Sequence, residues 1–199
     1  MALKAVFFDV GETLVDEERY WRLIAEAVGV RPHVLWAALG VTIARAEEHR
    51  RVYDYLGVEP AAGALAYYEP GDLYPDALEA IAALRARGLF VGVAGNQSAE
   101  LEEWFAGEGW EVDYVASSAR LGVAKPDPAF FEALADAAGC AAADVVYVGD
   151  RVDLDVLPAK AAGMVAVHVR RGPWGYLQDA SAADVRVDSL AGLPEALGL

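Results

Sequence analysis

The stretch Ala5-Val6-Phe7-Phe8-Asp9-Val10-Gly11-Glu12-Thr13-Leu14 decides the fold. An unbroken apolar run of this length predicts a strand buried on both faces, as parallel sheets require, and it delivers Asp9 to the strand's carboxyl end. Open α/β sheets bind their ligands at that edge.

Downstream, short apolar runs alternate with helical patterns. Strands are expected at Leu89–Ala94, Tyr114–Ala116, Val145–Val148, Val165–Val169 and, more weakly, Val185–Val187. Between them, helices are expected over Asp76–Arg87, Ala99–Glu108 and Pro128–Ala138. Each is followed by a glycine (Gly88, Gly109, Gly139) placed to end it. Asp127 and Ser98 read as N-caps, and Pro128 as a first helical residue. Strands alternating with helices define βαβ units, hence an α/β fold with a doubly wound parallel sheet.

The alternation stops between about Asp16 and Pro75, where apolar residues recur at helical spacing and no strand-like run occurs from Trp21 to Leu73. This predicts a small all-helical cap inserted after the first strand, residues 16–75, on a core of residues 1–15 and 76–199. Its aromatics Trp21, Trp36, Tyr53, Tyr55, Tyr67 and Tyr68 are expected to form the insertion's own core. Insertions after a first strand sit above the site and can act as lids.

Composition narrows the class. With 199 residues, 56% hydrophobic and 24% charged, the chain is an ordered globular protein rather than a disordered one. No apolar run reaches the length of a membrane span, and the start lacks a small-residue cleavage site, so no secretory leader is expected. Cys140 is the single cysteine, which rules out an internal disulfide and makes a cytoplasmic location the default expectation. Net charge is −15 and the basic residues cluster no further than the pairs Arg50-Arg51 and Arg170-Arg171, so neither nucleic acid nor membrane is an expected partner.

Four segments carry chemistry. Asp9-Val10-Gly11-Glu12-Thr13 closes the first strand. Val91-Gly92-Val93-Ala94-Gly95-Asn96 is a second strand ending in small and polar residues, and Gly122-Val123-Ala124-Lys125-Pro126-Asp127-Pro128 presents a lysine between prolines. Val145-Val146-Tyr147-Val148-Gly149-Asp150 ends a later strand in an aspartate, with Asp153 and Asp155 following. In this order, at the ends of successive strands, they resemble the four motifs of the haloacid dehalogenase-like (HAD) hydrolases, and the resemblance spans almost the whole chain.

The resemblance implies a Rossmann-like HAD core and, from the Gly-Asp form of the last motif, the metal-dependent phosphatase branch. Asp9 is then the nucleophile, and Lys125 neutralises it and the bound phosphate. Mg²⁺ is held by Asp150, Asp9 and the main-chain carbonyl of Gly11, with Asp155 orienting behind them. Asp153 is read as a solvated N-cap. Asn96, Gln97 and backbone N–H groups remain to bind the phosphate. Two departures stand out. Gly11 replaces the family's second Asp, the usual general acid/base, and Gly95 replaces a phosphate-binding Ser/Thr.

The expected activity is hydrolysis of a small phosphorylated metabolite through an aspartyl-phosphate, slowed by Gly11 because acid/base assistance is worth roughly 10²–10⁴-fold. Glu12 is expected to point elsewhere, while His33 or His49 of the insertion could supply a proton. A phospholigand-binding or regulatory protein with little turnover is the alternative, and a haloacid dehalogenase a weaker one.

Overall fold

The computed structural model describes residues 3–61, 68–107 and 110–199. Among them, β1 (Ala5–Phe8), β2 (Phe90–Gly95), β3 (Tyr114–Ser117), β4 (Val145–Gly149), β5 (Val165–Val169) and β6 (Val185–Val187) form one sheet in the order β3-β2-β1-β4-β5-β6. Every pairing is parallel. The chain winds outward from β1 to β3, then returns to lay β4 on the other side of β1. Side-by-side strands whose connections leave in opposite directions open a crevice at their carboxyl ends, and β1 and β4 are that pair.

All four residues of β1 are fully buried. Successive side chains address opposite faces. Val6 and Phe8 pack in a layer with Ile81 and Leu84 of α4 (Ala77–Arg85), Phe105 of α5 (Glu100–Gly107) and Leu193 of α10 (Leu193–Ala196). Ala5 and Phe7 face the opposite layer, with Phe130, Phe131 and Leu134 of α7 (Pro128–Ala138) and Ala159 of α8 (Leu157–Ala161). Helices thus cover both faces, the α/β Rossmann-like arrangement read from the alternation of runs. Two shorter helices, α6 (Ser118–Leu121) and α9 (Gly172–Leu177), follow β3 and β5.

Helix α7 begins and ends where its signals lie, with the Asp127 carboxylate accepting the Ala129 N–H at 3.0 Å and Gly139 at φ 63°. Helix α4 runs to Arg85. Leu89 N–H bonds the Leu84 carbonyl at 3.4 Å and Gly88 N–H the Arg85 carbonyl at 2.8 Å, the paired bonds that put Gly88 (φ 81°) in the C′ position read for it. The end expected for α5 at Glu108-Gly109 lies outside the described residues.

Between β1 and β2 the described residues form α1 (Glu18–Ala27), α2 (Pro32–Ala44) and α3 (Arg51–Leu56). Trp21, Ile24, Leu35, Leu39 and Val52 bury one another there, joined by Trp174 from α9. The two chain crossings into and out of this segment are tied together: Asp16 N–H donates to Asp72 O at 2.7 Å and Tyr74 N–H to Leu14 O at 2.9 Å. The aromatics divide. Trp21, Trp36 and Tyr53 pack in this cluster, Tyr55 is exposed, Tyr68 packs against the sheet's own core, and Tyr67 lies outside the described residues. No single described helix is long and apolar enough to cross a membrane.

Candidate active site

The carboxyl ends of β1, β2 and β4 form the floor of a cleft of about 720 Å³, and α1, α3 and α9 contribute its walls. That volume suits a small molecule. Asp9 leaves β1 with its N–H still bonded to Val148 O at 2.8 Å, so the β1–β4 ladder itself aims it. Its Oδ1 lies 2.7 Å from Lys125 Nζ, and the same ammonium donates to Asp155 Oδ1 at 2.6 Å. Lys125 is only 5% exposed and sits over the Tyr147 ring, 5.3 Å from its centroid. Burial works against its charge, but the two aspartates outweigh that and hold its pKa well above the usual lysine value.

Asp150 follows β4, and Asp155 is carried by a single π-helical turn, Val152–Val156, whose N-terminal Arg151 donates its backbone N–H to Asp155 Oδ2 at 2.9 Å. Arg151, not Asp153, occupies the cap position. Asp153 sits inside the turn, its carboxylate pairing the Arg151 guanidinium at 2.6 Å and accepting from Gln178 Nε2 at 2.9 Å, because a π turn begins earlier than the expected α-helix.

Asp9, Asp150 and Asp155 each present a carboxylate oxygen within 4.8 Å of the others. Burial first, then Asp155 and Asp9, push Asp150 well above the ordinary carboxylate range, and burial raises Asp155 to about 6 despite Lys125. Asp150 Oδ2 is buried and has no hydrogen-bond partner among the described residues. An orphaned buried oxygen within a crowd of like charges fits a hard divalent cation, which relieves the repulsion and takes oxygen ligands. These residues could hold a metal ion.

The cleft gathers Asp9, Gly11, Asn96, Gln97, Lys125 and Asp150 from the expected site, and Asp155 lies beneath them. The Asn96 amide is committed to the Lys125 main chain: Oδ1 accepts the Lys125 N–H at 2.7 Å and Nδ2 donates to the Lys125 carbonyl at 2.9 Å. Gln97 Nε2 reaches the Tyr68 hydroxyl at 3.4 Å. Glu12 lies at φ 52°, accepts the Tyr74 hydroxyl at 2.6 Å and packs on Gly172. His49 stands at the cleft mouth, edge-on to Trp21 and Trp174, whereas His33 is exposed on α2 away from the cleft.

The two departures acquire a steric meaning. A Cβ at Gly95 would stand 2.7 Å from Asp9 Oδ1, closer than side-chain carbons come, so a hydroxyl-bearing residue there would press on Asp9. A Cβ at Gly11 would run into the Glu17 carboxyl group, with Cδ at 2.8 Å. Glu17 is the site residue that the sequence did not single out. It lies in the acidic run Asp16-Glu17-Glu18 at the start of α1, and nothing in such a run marks one acid for the cleft.

A carboxylate at the switch point of a parallel sheet, paired with a buried lysine and beside two further aspartates, defines an α/β protein with a charged cleft at the carboxyl edge of its sheet. The family model described as haloacid dehalogenase-like hydrolase matches residues 3–163. The chain belongs to that family. It is 29% identical to a glyceraldehyde 3-phosphate phosphatase of Methanopyrus kandleri, across 92% of this chain and 91% of that one. It is 33% identical to a protein of the same name from Methanocaldococcus jannaschii, across 59% of this chain and 53% of that one, so this match spans about half the length of the relative. A HAD phosphatase structure from Thermococcus onnurineus superposes with a TM-score of 0.69 over 98% of both chains at 22% identity, which shows a shared fold.

Proposed function

We propose that this chain is a Mg²⁺-dependent phosphatase of small phosphorylated metabolites, with residues 16–75 acting as a cap over a core of residues 1–15 and 76–199. The observation that carries this reading is the Asp9 carboxylate, aimed into the cleft by β1 and held at 2.7 Å by the Lys125 ammonium beside Asp150 and Asp155. The names of the two archaeal relatives support a phosphate monoester as substrate.

Asp9 attacks phosphorus through one carboxylate oxygen and forms an aspartyl-phosphate, which water then hydrolyses. Lys125 supplies a fixed positive charge at the place where phosphoryl oxygens gather negative charge. Its position is set from three sides: Asn96 pins its main chain, Asp155 draws its Nζ, and Tyr147 supports the ammonium from beneath. Asp150, Asp9 and the Gly11 carbonyl would hold the cation, with Asp155 behind them. When bound it adds Lewis-acid stabilisation of the phosphoryl group. The cleft walls of Tyr20, Trp21, Tyr53 and Trp104 exclude water and select the leaving group.

Hydrolysis of p-nitrophenyl phosphate with Mg²⁺ tests the reading. Release of phosphate that Asp9→Asn abolishes is the expected result. Absence of turnover by the parent across aryl phosphates and a phosphometabolite panel would overturn it in favour of a binding protein. Halide release from a haloacid without metal would point to a dehalogenase.

A further inference from the structure

Glu17 occupies the volume that a side chain at position 11 would fill. Its Cδ lies 2.8 Å and its Oε2 3.3 Å from where a Gly11 Cβ would stand, and it faces the same cleft as Asp9. Any side chain at Gly11 would have to displace it.

Glu17 is also free of the work its position suggests. It precedes the first residue of α1, where an acidic side chain ordinarily caps the helix, yet it makes no capping bond. Asp16 takes that task, its Oδ1 accepting the Glu18 N–H at 2.8 Å. The Glu17 carboxyl turns inward instead and is fixed from both sides: Tyr68 Oη lies 2.6 Å from Oε1, and Trp21 Nε1 donates to Oε2 at 3.1 Å. No described cation pairs with it at salt-bridge distance.

We propose that Glu17 is the general acid and base of this enzyme, delivered from the start of α1 into the space left open by Gly11. The assignment rests on the aspartyl-phosphate reading given above. In the first half-reaction an Asp9 oxygen bonds to phosphorus and the ester P–O bond breaks. The departing oxygen takes the Glu17 proton and leaves as the alcohol. In the second, Glu17 carboxylate takes a proton from water as the water oxygen bonds to phosphorus. The Asp9–phosphorus bond then breaks, giving inorganic phosphate and restoring both side chains. Glu12 also borders the cleft, but its side chain packs on Gly172 and it is Glu17 that fills the space beside Gly11.

The experiment compares parent, Asp9→Asn, Glu17→Gln and Glu17→Ala on aryl phosphates running from p-nitrophenyl to p-methoxyphenyl, with Mg²⁺. Glu17→Gln keeps the side-chain shape. The parent should show a shallow dependence of kcat/KM on leaving-group pKa. Glu17→Gln should show a steep one, with a loss of about 10²–10⁴-fold at the poor leaving group and a stoichiometric burst of nitrophenolate as dephosphorylation becomes limiting. A parent-like slope without a burst overturns the assignment. If Glu17→Gln does not fold, judged by circular dichroism, Glu17→Ala decides: a steep slope supports the assignment and a parent-like one overturns it. Turnover surviving Asp9→Asn, or absent from the parent, overturns the aspartyl-phosphate reading itself. Loss in Asp9→Asn together with a parent-like slope in Glu17→Gln removes Glu17 alone.

Discussion

Lys125 Nζ donates to Asp155 Oδ1 at 2.6 Å while lying 2.7 Å from Asp9 Oδ1, so one buried ammonium spans the carboxylate at the end of β1 and a carboxylate delivered by the turn after β4. Both neighbours are at most 8% exposed, and the lysine has little water to fall back on. The pair is therefore a structural clamp as well as a chemical one.

Removing the cation should be felt in stability. Lys125→Met leaves two buried carboxylates facing each other, and breaking a buried pair this way costs about 3–5 kcal/mol. Urea unfolding in metal-free buffer measures it. A loss under about 1 kcal/mol would show that water or a side-chain shift replaces the ammonium.

Asp150 gives a test of the metal that needs no turnover. Its Oδ2 is buried without a partner among the described residues, so Mg²⁺ should stabilise the parent by about 2.7 kcal/mol at a concentration one hundred times its dissociation constant. Asp150→Asn should lose most of that gain. Thermal melts with and without Mg²⁺ read both, and an equal shift in the two proteins would place the cation elsewhere.

Restoring the family's hydroxyl should do harm. Gly95→Ser puts a Cβ 2.7 Å from Asp9 Oδ1 and pushes the attacking oxygen off its line. A misplacement of this kind lowers turnover by about 10²-fold, measured as kcat on p-nitrophenyl phosphate. Unchanged or faster turnover would mean that Asp9 relaxes freely.

Asp76 anchors the far side of the first loop. Its Oδ2 pairs with the Arg171 guanidinium and accepts Ser189 Oγ at 2.6 Å and Leu190 N–H at 2.9 Å, while Arg171 donates to Thr13 O at 2.7 Å. Burial opposes the charge, yet Arg171, Ser189 and the Leu190 N–H outweigh it and hold the carboxyl below its ordinary value. A depressed folded pKa contributes stability that is present above the unfolded value, about 3.9, and lost as pH falls through the folded one. Asp76→Asn should therefore destabilise by about 1.5–3 kcal/mol at pH 7. The gap should persist at pH 5 and close only below about pH 4. Denaturant melts across that range check it, and a gap that closes between pH 5 and 7 would contradict the assignment.

Much of the frame was legible because the signals were local. Ala5–Phe8 and Val165–Val169 become strands with the bounds their apolar runs define, since each buries both faces. Pro128–Ala138 carries its own cap and its own terminating glycine. Where a reading moved, a neighbouring turn moved it: a π turn after β4 absorbs Asp153.

The sequence by itself determined the sheet, the order of its strands' chemistry, and the delivery of Asp9, Lys125 and Asp150 to one edge, because each follows from a run of residues and the groups at its end. Tertiary structure alone decided what fills the space beside Gly11. Glu17 reaches it from the start of a helix whose angle is set by packing of Trp21, Leu35 and Trp174, and the Asn96 amide bonds the Lys125 backbone because the β2 and Lys125 loops meet in space. A missing side chain is visible in a sequence; the group that stands in its place is fixed by contacts between segments far apart in the chain.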